Sequence, residues 1–152
     1  MWTELFGDQL LVHSTKQSST VPTSTVLEGK VIVGLYFSAH WCTPCREFTP
    51  VLAAMYAKVV ALHPEFEIVY ISSDQSPGQF DATFDSMPFP ALPYVNRDIK
   101  AELVASFNVP WVPFLVFVDA VGNVIERDGR RLFVSAKSVD TVWDSLSNPA
   151  MM

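Results

Sequence analysis

Three stretches of the chain are apolar almost without interruption: Lys30–Ser38 (KVIVGLYFS), Glu67–Ser72 (EIVYIS) and Phe114–Asp119 (FLVFVD). Short runs of β-branched and aromatic residues like these predict strands buried on both faces, as in the middle of a parallel sheet. The segment between the first two has a different period. In CREFTPVLAAMYAKVVAL, Phe48, Val51, Leu52, Met55, Val59 and Leu62 recur at steps of three and four, which predicts an amphipathic helix. Pro50 lies inside it and predicts a kink. Shorter helices are predicted over Ser76–Met87, over Arg97–Phe107 with Asp98 as candidate N-cap, and over Ser138–Leu146. The Phe-rich segment Phe80–Phe89 is expected to pack over the sheet. From Asp119 to Gly129 a turn at Gly122-Asn123 leads into a return strand over Asn123–Arg127; so short a link forces antiparallel pairing. Upstream, QLLV (Gln9–Val12) predicts a strand, and the Ser/Thr-rich residues 14–25 a loop or loose hairpin.

This order of elements implies an α/β fold: a central mixed sheet with helices on both faces. At 152 residues the chain suits one domain, 1–152, with 1–26 an N-terminal extension and 27–146 the core. Hydrophobic residues make up 49% and charged residues 17%, enough apolar material for a core. The net charge of -6, with no basic cluster longer than Arg130-Arg131, argues against nucleic acid as a partner. No apolar run approaches the roughly 18 residues that span a membrane. The N-terminus (MWTELFGDQLLVHS) lacks the basic start of a secretory signal. A reducing compartment is expected, cytoplasmic with a mitochondrial address left open, and there an isolated cysteine pair is more often redox-active than structural.

That pair is Cys42 and Cys45, the only two cysteines of the chain. Cys42 falls where the first buried strand ends, and a helix begins at about Cys45. A thiolate at Cys42 would face unpaired backbone N–H groups and the positive end of the helix dipole, so its pKa is expected below the roughly 8.5 of a free cysteine. Two intervening residues let Cys45 reach the first sulfur, and Pro44 stiffens the turn between them. Cys42 is then the attacking thiol and Cys45 the more buried, resolving one: attack on a disulfide, a mixed disulfide, and release as Cys45 closes on Cys42. Two other readings stand beside this. A CxxC is half of a zinc or iron–sulfur site, but the other soft donors, His13, His40 and His63, are adjacent to it or in unrelated segments. The thiols could also be inert core residues. His40 would favour a Cys42 thiolate if protonated, or would be a rim residue.

Three blocks in order, GLYFSAHWCTPCREFTPVL, MPFPALPY and FNVPWVPFLVFVDAVGNVIERDGR, resemble the thioredoxin superfamily, and more closely its tryparedoxin/nucleoredoxin branch, over roughly Leu27 to Leu132. The resemblance implies a thioredoxin-like three-layer α/β/α sandwich and a thiol–disulfide oxidoreductase that reduces protein disulfides. Its site would comprise Cys42 and Cys45 with Trp41, Thr43 and Pro44 around them. It also implies a cis proline at Pro113, with Val112 presenting its backbone to the substrate as an added strand would. Arg127 and Arg130 match basic positions of the branch that could hold a substrate carboxylate, or are solvated hairpin charges. The implied partners are protein disulfides, peroxiredoxin-type ones among them, with a small dithiol or a reductase as electron donor. No cofactor or metal is called for, and a monomer is expected. The alternative within the branch is a redox-regulated protein-binding module with little turnover.

The chain also departs from the pattern. Thioredoxins proper carry a buried Asp six residues before the first cysteine; here Tyr36 stands there, so the proton acceptor for Cys45 is unassigned. Thr43 replaces the first Pro of the common WCPPC. The Trp-Asp-acidic run after the second long strand reads SSDQS, which keeps only Asp74 and puts a trypanothione-type substrate in doubt.

Overall fold

A period of two inside the apolar runs sorts their side chains to opposite faces of one sheet. The computed structural model describes residues 2–14 and 18–148. Strands β1 (Gln9–Val12) and β2 (Ser19–Pro22) form an antiparallel hairpin; residues 15–17 of the expected loop lie outside the described residues. They are followed by β3 (Ile32–Ser38), β4 (Phe66–Ser72), β5 (Phe114–Asp119) and β6 (Val124–Glu126). The four-stranded sheet has the order β4-β3-β5-β6, with β3 parallel to β4 and antiparallel to β5, and β5 antiparallel to β6.

Every residue of β3 and β4 is buried, as continuous apolar runs require of central strands. Ile32, Tyr36, Phe66, Ile68, Tyr70, Leu115 and Phe117 feed one core cluster; Val33, Leu35, Phe37, Val69, Ile71, Val116 and Val118 feed another on the opposite face. The first is closed by α3 (Thr43–Leu62), α4 (Pro77–Asp85), α6 (Gly129–Ser135) and α7 (Val139–Ser147), the second by α1 (Trp2–Phe6), α2 (Thr23–Val26) and α5 (Arg97–Ser106). The result is the expected mixed sheet between two helical layers.

Several details differ from expectation. Helix α3 starts at Thr43 rather than at about Cys45, and Pro50 lies inside it. Its buried stripe is Cys45, Phe48, Leu52, Tyr56 and Val59, spaced by three and four, while Val51 and Leu62 are exposed. Asp98 lies in the first turn of α5 and does not cap it; the N-cap is Asn96. The return strand is trimmed to Val124–Glu126, because a register irregularity at Phe117/Val118 shortens the pairing. Helices α1 and α6 are too short to show a helical period in the sequence. Phe80, Phe84 and Phe89 are buried over the sheet, as expected.

Beside β4, Ala91 bridges Tyr70 on one side and Leu11 on the other, so β1 continues the sheet at that edge. Trp2, Phe6 and Leu10 are buried in the same cluster as Val69, Ile71 and Leu92.

Candidate active site

Strand β3 ends at Ser38, and Ala39–Trp41 carry the chain to Cys42, the N-cap of α3. The helix begins there because Thr43 and Pro44 occupy its first positions; Pro44 needs no donor where helix N–H groups are unpaired anyway. Cys42 Sγ accepts the Cys45 backbone N–H at 3.3 Å, the bond a serine or aspartate oxygen would take at an N-cap. The first sulfur is thus held by a helix N-terminus, as the sequence implied. Neither thiol is in a disulfide, and both are buried. Cys42 is 5% exposed and Cys45 1%. Burial, reinforced by the neighbouring Cys42, pushes the Cys45 thiol up to about 12, while Ser38 and the Ala39 backbone pull the other way.

Opposite Cys42 lies the Val112–Pro113 peptide, which is cis. The Cys42 thiol donates to the Val112 carbonyl at 3.7 Å, so the first sulfur and the backbone of Val112 meet at one spot. Pro113 is buried and Val112 half-buried. Trp41 and Trp111 flank this spot, 50% and 66% exposed. Trp41 is therefore not a core aromatic: its indole N–H donates to the Ser73 carbonyl at 3.0 Å, which lays the ring beside the dithiol.

Behind the dithiol the interior is polar. The Tyr36 hydroxyl pairs with Thr49 Oγ1 at 2.7 Å, and burial raises its pKa to about 12. Asp74, itself buried, accepts the His40 backbone N–H, the Tyr70 hydroxyl and the Ser72 hydroxyl, each at 2.6 Å. This carboxylate ties the loop that precedes Trp41 to the end of β4. A cleft of about 390 Å³ opens against Cys45, lined by Ser38, His40, Thr49, Thr83 and Ser86 among others.

The remaining predicted residues are placed as follows. Thr43 and Pro44 are exposed on the first turn of α3. Arg127 is tied to the fold: its guanidinium donates to the carbonyls of Phe107 at 2.6 Å and Asn108 at 2.8 Å. Arg130 is half-buried, over the Phe48 ring at 6.0 Å, and lines a cleft of about 500 Å³ with Trp111, Pro113 and Phe114. His13 stacks on Phe84 and His63 on Trp143, while His40 is exposed beside the dithiol. Among the described residues no group of three or more His, Cys, Asp or Glu side chains is placed to hold a metal. The sequence reading missed Ser38 and gave Asp74 no role. Ser38 ends an apolar strand and shows as a polar residue only in register, level with Ser72 on the neighbouring strand.

Three comparisons bear on this arrangement. A thioredoxin-like family model matches residues 29–124. Nucleoredoxin of Danio rerio is 43% identical over 120 residues, covering 79% of this chain but 28% of that protein, so the chain spans little more than a quarter of this relative. Tryparedoxin II from Crithidia fasciculata superposes with a TM-score of 0.76 at 35% identity, over 87% of this chain and 85% of that one. The same protein complexed with glutathionylspermidine gives a TM-score of 0.75 at 36% identity, over 84% and 85%.

Proposed function

Since the chain belongs to the thioredoxin-like family, we propose that it is a thiol–disulfide oxidoreductase that reduces protein disulfides through Cys42 and Cys45. The carrying observation is the Cys42 sulfur at the N-cap of α3, facing the backbone of Val112. An extended target segment pairs with that backbone and brings its disulfide to Cys42. Cys42 attacks, a mixed disulfide forms, and Cys45 closes on Cys42 to release the reduced target. A small dithiol or a reductase then restores the pair. Trp41 and Trp111 frame the docking spot, with Thr43 and Pro44 on its rim. Arg130, held by no hydrogen bond or ion pair among the described residues, is available to a substrate carboxylate. We place this work in a reducing compartment, the cytoplasm, with the protein acting as a monomer. The test is an insulin-reduction assay: Cys42→Ser should abolish turnover, and equal turnover by the variant ends the proposal.

The similarity to nucleoredoxin supports a second reading, a binding module whose surface is switched by the dithiol. Cys45→Ser separates the two. Covalent mixed disulfides with targets support exchange; redox-sensitive partners held without a covalent bond support the module.

A further inference from the structure

Where β4 ends, the segment Ser72–Asp74 lies against the loop that leads into the dithiol, and three bonds join the two. The Ser73 N–H donates to the Ser38 carbonyl at 2.8 Å, the Trp41 indole N–H to the Ser73 carbonyl at 3.0 Å, and the His40 backbone N–H to Asp74 Oδ1 at 2.6 Å. Only the last is accepted by a side chain. Asp74 is 4% exposed, a depth at which a carboxylate needs donors around it. The hydroxyls of Tyr70, Ser72 and Thr83 supply three more, at 2.6, 2.6 and 3.3 Å. The segment is also anchored from behind: the Tyr94 hydroxyl donates to the Asp74 carbonyl at 3.1 Å, and Arg97 donates to the Ser72 carbonyl at 2.7 Å. Asp74 is thus held by β4 and its surroundings, and its bond outward goes to the residue before Trp41.

Cys42 is placed by other means. Its sulfur accepts the Cys45 N–H, its own N–H donates to the Ala39 carbonyl at 3.4 Å, and its carbonyl accepts the Arg46 N–H at 3.2 Å. None of these bonds involves Asp74. Two neighbours in sequence are therefore fixed separately, Cys42 by the start of α3 and Trp41 by the segment after β4. Trp41 is half-exposed, so packing alone does little to orient its ring.

We propose that Asp74 is a positioning residue for target docking: by gripping the His40 N–H it holds the Trp41 ring beside Cys42, without acting on either sulfur. The inference rests on the exchange reading above, in which Trp41 frames the docking spot. No bond is made or broken at Asp74. A target that meets a displaced ring binds more weakly but, once bound, exchanges at the same sulfur, so the loss falls on KM more than on kcat.

The first readout needs neither target nor turnover. The chain has four tryptophans, Trp2, Trp41, Trp111 and Trp143, and Trp41→Phe identifies which indole N–H resonance belongs to Trp41. Asp74→Ala is expected to shift that resonance and to leave those of Trp2 and Trp143, on α1 and α7, in place. A general loosening of the fold would move them together. Asp74→Asn keeps an acceptor for His40, and its amide can pair with the Tyr70 and Ser72 hydroxyls; it is expected to restore the resonance. The second readout is insulin reduction with a small dithiol as donor. Asp74→Ala should raise KM about tenfold, the scale of an interface tryptophan, with kcat within about twofold. In the Trp41→Ala background the same substitution should change KM by less than about twofold, because the residue through which it acts is gone. Where Asp74→Ala melts below the assay temperature, Asp74→Ser takes its place: its hydroxyl offers Tyr70 and Ser72 a partner but is one bond too short for His40. An unmoved Trp41 resonance, or Asp74 and Trp41 effects on KM that simply add, overturns the proposal. Failure of the exchange reading shows differently, as no insulin reduction by the unmutated protein, and leaves the indole result to decide whether Asp74 positions Trp41.

Discussion

At the scale of single residues, buried polar groups decide how this protein answers to pH. Glu67 on β4 is buried; its carboxylate accepts the Tyr56 hydroxyl at 2.7 Å and the Ile68 N–H at 2.9 Å. Burial raises its pKa above 4.5, and these bonds with nearby Lys30 offset that only in part. The folded state therefore holds this proton to higher pH than the unfolded chain does. Stability is greatest below the unfolded value and falls as pH rises through the folded one. Glu67→Gln keeps an acceptor for both bonds and cannot ionise. It should raise the melting temperature at neutral pH, with the gain vanishing as pH drops below the ordinary glutamate range; thermal melts of the two proteins across pH check this. The dithiol was legible at the same scale because cysteine chemistry depends on two residues and a helix start. The Arg127 carbonyl clamp was not: a salt-bridge or substrate role and a backbone-clamp role look alike until Phe107 and Asn108 are brought alongside in space.

At the scale of elements, strands β3, β4 and β5 could be read directly from the sequence, because a run apolar on both faces has no other way to be buried. Helices α1 and α6 could not, since five and seven residues do not complete enough turns to show a period. α6 is placed by close approach. A Cβ on Gly129 would stand 2.7 Å from Phe117 Cε2 and 2.9 Å from the Leu115 carbonyl oxygen. Gly129→Ala sets two effects against each other. Alanine favours a helix by about 1 kcal/mol, but overpacking against backbone costs about 1–3 kcal/mol, and Phe117 has no room to retreat because Phe66 and Phe133 flank it. The variant should be destabilised, by up to about 2 kcal/mol, read as a lower urea midpoint with unchanged slope. The Asp98 cap failed for a similar reason: capping depends on the backbone angles before the first turn, and the chain enters α5 earlier, at Asn96.

At the scale of the whole molecule, the N-terminal segment and the core share one hydrophobic cluster. Phe6 is fully buried against the same face as Leu92 and Val69, and Leu11 and Ala91 exchange backbone bonds at 2.8 and 2.9 Å. Phe6→Ala should cost about 3 kcal/mol, and chemical denaturation should still show one transition; an early separate transition would mean that the segment folds independently. The order of elements pointed to a mixed sheet with helices on both faces, and the family resemblance carried by the three quoted motifs implied the three-layer arrangement. The joining of the hairpin to the β4 edge through Ala91 had no local signature, as it depends on contacts between Leu11 and Ala91, far apart in the chain. The depth of the two sulfurs sets what this molecule can act upon. They lie below the surface, 5% and 1% exposed. If the molecule exchanges with protein disulfides as proposed, a rigid protein whose cystine is locked in its own interior would not bring that bond down to them. A cystine in a pliant loop would be threaded in, and clients would then be sorted by local plasticity before any matching of sequence or charge.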